Sequence, residues 1–216
     1  MIATLKNYLK KIPFLFYLVK WIYLAIVAVV ASFKWSALQK QPNIKLELGS
    51  GVKRGKNGWT TVDLRGADIN YNLRGGLPLK DESVDAIYTS HMLEHIPYKG
   101  LMILLKECHR VLKKGGSLSV CVPNAKLYIQ AYLEGREFED RSKMYQEALP
   151  ETGSLLDQVN YIAYMDDGHT YLFDEENLVN TLKKGGFNNV QLRKFDADLD
   201  STKYDYVSIY AIAAKE

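Results

Sequence analysis

The order of short apolar runs after Gln41 constrains this chain more than any other feature. Residues 44–48, 59–63, 68–72, 84–89 and 117–122 are brief, apolar and bounded by Gly, Asp, Asn or Pro, which is how strands read. Between the fourth and fifth runs the period changes. Leu101, Leu104, Leu105, Cys108, Val111 and Leu112 recur at spacings of three and four, predicting an amphipathic helix over 98–113. Lys113 and Lys114 suit the negative end of its dipole, and Gly115-Gly116 its stop. Residues 125–167 are charge-rich and predict helical structure inserted over a substrate site. Asp174 offers an N-cap for another helix ending at Gly185-Gly186, and strands follow at 190–195 and 206–213. The acidic stretch 196–205 reads as a surface loop. Strands alternating with helices predict an α/β, doubly wound, mostly parallel sheet with helices on both faces.

The chain's 216 residues suffice for one domain with an appendage. A net charge of +3, with basic residues scattered along the chain, excludes the basic, aromatic-interleaved groove that nucleic acid requires. Two cysteines, Cys108 and Cys121, make no disulfide framework and read as buried small apolar groups in a reducing compartment.

The appendage is residues 13–33, an apolar stretch whose single charge is Lys20. Roughly 20 apolar residues span a bilayer, so three readings compete: a spanning anchor, a helix lying in the interface, and a hydrophobic hairpin packed on the domain. Tyr17, Trp21, Tyr23 and Trp35 favour an interface, and Lys20 can snorkel. Membrane attachment through 13–33 is the expectation, giving a membrane-associated segment 1–40 and a domain 41–216. Lys6, Lys10 and Lys11 precede the stretch and other basic residues follow it, so the positive-inside rule decides little.

In a doubly wound sheet, ligands bind beyond the C-terminal ends of the strands. Gly49-Ser50-Gly51 ends the first strand and lets the backbone approach a ligand. Asp63 ends the second and can accept both hydroxyls of a ribose. Asn72 ends the third and offers an amide to an adenine edge. Together they describe a nucleoside site. A dinucleotide phosphate loop fits less well, because Gly55 falls one residue out of step and the eight or so residues before the second strand leave at most a short helical turn.

His91-x-x-Glu94-His95 follows the fourth strand and matches the inverted zinc signature of one protease group. Zinc would need both histidines on one helical face and a third ligand. Here the triplet directly follows a strand, and Pro97 biases Ile96 away from helical geometry. A zinc hydrolase is therefore the distant alternative, and no metal is expected.

Five stretches, LELGSG (46–51), GWTTVDL (58–64), LPLKDESVDAIYTSHMLEHI (77–96), ECHRVLKKGGSLSVCVPN (107–124) and GHTYLFDEENLVNTLKKGGF (168–187), resemble in order the class I S-adenosylmethionine-dependent methyltransferases. The likeness is to the type 11 group, and within it to members associated with polysaccharide and lipopolysaccharide assembly. It implies a Rossmann-like seven-stranded sheet with the last strand antiparallel, and S-adenosylmethionine as cofactor. By position, Glu47, Gly49 and Gly51 match the cofactor loop and Asp63 the ribose carboxylate. Asn72 stands where many members carry Asp, and His91 falls where the family brings cofactor and acceptor together.

Methyl transfer from a sulfonium is an in-line displacement, so close alignment of the acceptor supplies much of the rate. A hydroxyl acceptor also benefits from a base, for which histidine is suited. His95 and His169 are the candidates, His91 is expected to line the cofactor pocket, and His109 lies inside a helix as a structural residue. The expected acceptor is a small molecule or a lipid-linked glycan, methylated at the cytoplasmic face of a membrane where the cofactor is available. A membrane-anchored scaffold with an inactive fold is the alternative.

Overall fold

The structure is a computed structural model and describes residues 13–216. Lys6, Lys10 and Lys11 lie outside the described residues, as does the side chain of Lys20. Helix α1 (Pro13–Leu38) leads into the sheet. The sheet is built from β1 (Lys45–Leu48), β2 (Trp59–Asp63), β3 (Ile69–Asn70), β4 (Val84–Ser90), β5 (Leu112–Pro123), β6 (Asn189–Leu192) and β7 (Ser208–Ala214). Its order is β3-β2-β1-β4-β5-β7-β6. The strands from β3 to β5 run parallel, and β7 is antiparallel to both β5 and β6. This is the expected doubly wound, seven-stranded architecture with its last strand reversed.

Central strands are covered on both faces, so Leu46, Leu48, Val62, Ile87, Val120 and Val122 are all essentially inaccessible, as parallel sheets demand. Helix α2 (Tyr98–Val111) buries the predicted stripe of Leu101, Leu104, Leu105, Cys108 and Val111. Burial pushes the Cys108 thiol up to about 12 and the Cys121 thiol to about 11, which keeps both inert. Helix α5 (Glu175–Lys184) begins where Asp174 accepts a 2.7 Å bond from the Asn177 amide.

Several boundaries differ from the sequence reading: β3 stops at Asn70, short of Asn72, β6 stops at Leu192, and β7 begins only at Ser208. Helix α2 stops at Val111, because Leu112 is already extended at φ −63, ψ 138 and pairs with Val84. Lys113 leaves the helix to meet Asp85 at 2.8 Å, and the ladder resumes only at Ser117 opposite Ala86. The stretch 196–205 is also more than a surface loop. Asp200 is buried within it, accepting bonds from Arg193 at 2.5 and 2.8 Å and from the Tyr88 hydroxyl at 3.0 Å. The charge on Arg193 recruits an acid that composition alone assigns to solvent.

Helix α1 is divided along its length. Ala31, Trp35 and Leu38 belong to the main core, with Trp35 edge-on to Tyr71 at 5.6 Å. Towards the N-terminus, Phe14, Tyr17 and Trp21 are 78, 66 and 69% exposed. The span 17–38 is long and apolar enough to cross a membrane by length and composition.

Segment 73–81, which leads to β4, is clamped onto α2. Glu107 accepts from the Leu77 amide at 3.0 Å and from Arg110 at 2.8 and 2.7 Å, while Arg110 donates to the Leu77 and Leu79 carbonyls. The Arg110 hydrogen bonds hold the Glu107 carboxyl at about 2, against an ordinary 4.5. A depressed carboxyl stabilises the fold above its unfolded value and loses that contribution as pH falls towards the folded one. Glu107→Gln should therefore flatten the fall in melting temperature between about pH 5 and pH 2 relative to the parent chain. Superimposable acid limbs would show that the clamp contributes nothing.

Candidate active site

The ends of β1, β2 and β4 converge on a cavity of about 450 Å³ lined by Gly49, Gly51, Asp63, Asn72, Met92 and His91, among others. Its floor requires glycine. Gly49 has φ +72, and a Cβ there would lie 2.0 Å from Cγ of Met92. Gly51 has φ +65 and faces open space. Asp63 accepts from the Gly51 amide at 2.8 Å and from the Leu64 amide at 2.6 Å, one oxygen each. A carboxylate has about four lone-pair positions, so both oxygens retain capacity for a pair of hydroxyls. Asn72 caps a short 3-10 turn by accepting from the Arg74 amide at 3.1 Å. Pairing with a ring nitrogen then falls to its Nδ2 donor. No helix intervenes between β1 and β2. That connection is held instead by Asp68, which accepts from the Gly55 and Thr61 amides.

Glu47 is placed elsewhere. Side chains alternate along a strand, and between buried Leu46 and Leu48 it faces a neighbouring cavity with Trp59 and Tyr88, 3.2 Å from Lys53.

A second cavity of about 640 Å³ adjoins the first and shares His91 and His95 with it. Segment 125–167 supplies most of its wall. This segment folds as α3 (Ala125–Leu133), two 3-10 turns and α4 (Leu156–Tyr164) around a small core of its own. The wall is aromatic and acidic. Glu139 joins the hydroxyls of Tyr128 at 2.5 Å and Tyr206 at 2.6 Å, and Tyr145, Tyr161 and Tyr204 stand nearby.

His91 and His95 line both cavities, and Glu94 and His169 join them on the side of the larger one. Leaving β4, the chain turns at His91 with φ +49, and Leu93–His95 form a single 3-10 turn ended by extended Ile96. No long helix carries the H-x-x-E-H triplet, as Pro97 foretold. His91 Nε2 lies 2.8 Å from the Ser208 hydroxyl, whose own proton goes to the Tyr204 carbonyl. Nε2 of His91 is therefore the donor. Its pKa falls to about 4, mainly through burial and then through His169 and His95. His95 Nδ1 lies 2.8 Å from the Gly168 carbonyl, and His169 Nδ1 lies 2.7 Å from the Ile162 carbonyl. The His95 and His169 rings meet edge-on at 5.0 Å. Burial lowers the pKa of His169. Glu94 is 2% exposed and burial pushes its carboxyl up to about 8. The approach of His169 to this group comes from Thr170 and Tyr171, whose amides donate to the Glu94 carbonyl. His109 packs on Phe187, away from both cavities.

Comparison with known proteins follows this geometry. Residues 46–120 match the family model described as a methyltransferase domain. No match was found among curated proteins. Among solved structures, a methyltransferase from Thermotoga maritima described as a possible histamine N-methyltransferase is 18% identical. It covers 92% of this chain and 96% of its own, with a TM-score of 0.48. A methyltransferase from Archaeoglobus fulgidus is 16% identical over 88% of this chain and 94% of its own, with a TM-score of 0.44. A Haemonchus contortus N-methyltransferase bound to phosphomonomethylethanolamine and S-adenosylhomocysteine is 15% identical. It covers 84% of this chain and 52% of its own, with a TM-score of 0.45. The cavity at β1, β2 and β4 offers features that suit S-adenosylmethionine: a glycine floor, a carboxylate with spare acceptor capacity, and two lining residues, His91 and His95, shared with a second cavity.

Proposed function

We propose that this chain is a methyltransferase that uses S-adenosylmethionine and methylates a small or lipid-linked sugar in surface polysaccharide assembly, a reading supported by the methyltransferase-domain match over residues 46–120. The observation that carries the reading is the pair of adjoining cavities with His91 and His95 common to both. A methyl group passing between them crosses only the thickness of that wall.

The cofactor would lie over Gly49 and Gly51, with Asp63 on its ribose, Asn72 beside its adenine and His91 near the sulfonium. The cofactor supplies the methyl group when bound. The chain's task is to place the acceptor in line and keep water away. Carboxylates and tyrosine faces around the larger cavity suit the hydroxyls and apolar faces of a sugar. His95 and His169 line the cavity proposed for the acceptor, with their Nδ1 atoms committed to carbonyls. Segment 125–167 would close over that acceptor. The exposed apolar half of α1 supports placement at the cytoplasmic face of a membrane.

The test is mass spectrometry of surface glycans from a strain lacking the gene. Each missing methyl group lowers a glycan's mass by one CH₂, and restoring the gene restores it. An unchanged glycan profile would rule out the substrate class.

A further inference from the structure

The hydrogen-bond bookkeeping at the wall between the cavities does not close with protein atoms. A carbonyl only accepts, so the bonds to Gly168 and Ile162 fix a proton on Nδ1 of His95 and of His169. Both Nε2 atoms are then left as lone pairs. His91 donates through Nε2 to Ser208, so its Nδ1 is a third lone pair, 3.7 Å from Glu94 Oε1. His95 Nε2 is 3.8 Å from the same oxygen. Both oxygens of Glu94 are buried without a hydrogen-bond partner among the described residues. Three imidazole lone pairs and a buried carboxyl with no partner thus converge on one point, an arrangement that is costly unless a proton or a cation sits among them.

We propose that Glu94, His95 and His169 hold a divalent transition-metal cation of the manganese, iron, cobalt or zinc class. One ligand atom from each lies within 4.8 Å of the others. Ligands about 2.1 Å from a common tetrahedral ion stand roughly 3.4 Å apart, so small rotations of the two rings bring the set onto an ion. Two imidazoles and one carboxylate, with positions left open, form a known donor set for such metals. The carbonyls on both Nδ1 atoms supply the outer support that metal-bound histidines characteristically have. Magnesium and calcium, which prefer oxygen ligands, suit the set less well. The open positions face the larger cavity, where an oxygen of the acceptor would complete the shell. The ligands combine two members of the H-x-x-E-H triplet with His169, while His91 stays behind Glu94 as its neighbour.

Ion binding is measured independently of methyl transfer. The tag-free full-length chain in detergent, stripped with a chelator, is titrated with Co²⁺ alone and followed by visible absorption, with Mn²⁺ and Zn²⁺ uptake by equilibrium dialysis. S-adenosylhomocysteine binding is measured on the same samples by calorimetry. The expected result is one ion per chain, weakened on the order of 100-fold or more in Glu94→Gln and in His169→Ala, with S-adenosylhomocysteine binding retained. His169→Gln serves where His169→Ala does not fold. Substoichiometric uptake by the parent chain, or equal uptake by folded variants, would overturn the site. Ion uptake without S-adenosylhomocysteine binding would leave the site standing and remove the methyltransferase reading instead.

Discussion

Asp63→Ala should leave a folded chain that binds S-adenosylhomocysteine on the order of 100- to 10,000-fold more weakly. The figure follows from two lost hydrogen bonds to a charged group at about 1.5–3 kcal/mol each, with about 1.4 kcal/mol per factor of ten. Two effects act together. The proposed ribose contact disappears, and so does the acceptor that ties the Gly51 amide to the end of β2. Without that tie, the loop over which the cofactor would lie loses its shape even though β1 and β2 remain paired through Lys45–Leu48. Calorimetry with S-adenosylhomocysteine measures the effect, and a melting curve close to that of the parent shows that the sheet persists. Affinity within about threefold of the parent would mean that Asp63 does not hold the cofactor.

Arg193→Met should be the most destabilising single change in the C-terminal part of the sheet. Asp200 has no exposed side-chain surface and Arg193 only 13%. Removing one partner of a buried ion pair strands the other charge at about 3–5 kcal/mol. For a chain of this size that corresponds to a melting temperature lower by roughly 6–20 °C. Tyr88 and the Asp196 amide also bond to Asp200, so the loss reaches β4 and the loop that leads to β7. Adding Asp200→Asn to Arg193→Met should recover part of the loss, because the orphaned charge is then gone. A single variant that melts within about 2 °C of the parent would show that the pair does not hold this loop.

Much of the fold was legible because burial on both faces gives central strands a run of apolar residues, and α2 a stripe at three and four. The Asp174 cap was legible because capping is local: a carboxylate three residues before the amide it serves. The end of α2 was not, because Leu112 could extend the helical stripe equally well. What decides it is the pairing of Leu112 with Val84 and of Lys113 with Asp85, and neither partner is near in sequence. The same holds for Asp200, whose acidic surroundings conceal the one arginine that buries it. At the site, Gly49, Gly51, Asp63 and His91 lie at or just past strand ends, which can be found by pattern, while Asn72, read as the end of the third strand, lies beyond β3 as the cap of a 3-10 turn. They line one cavity. Glu47 sits inside a strand, where alternation turns it to the other face. The meeting of Glu94 with His169 had no local signal. It depends on amides of Thr170 and Tyr171 bonding to the Glu94 carbonyl, a contact between distant parts of the chain.

Helix α1 has one further consequence. Ala31, Trp35 and Leu38 are packed into the same core as the sheet, so the C-terminal end of the helix is fixed to the domain and not joined to it by a loop. Any surface that takes up Phe14, Tyr17 and Trp21 would also fix the height and tilt of the cavity mouths above it. Were that surface a membrane, the search for an acceptor would run in two dimensions. The site would then select acceptors by how far their reactive group stands from that surface as well as by their chemistry.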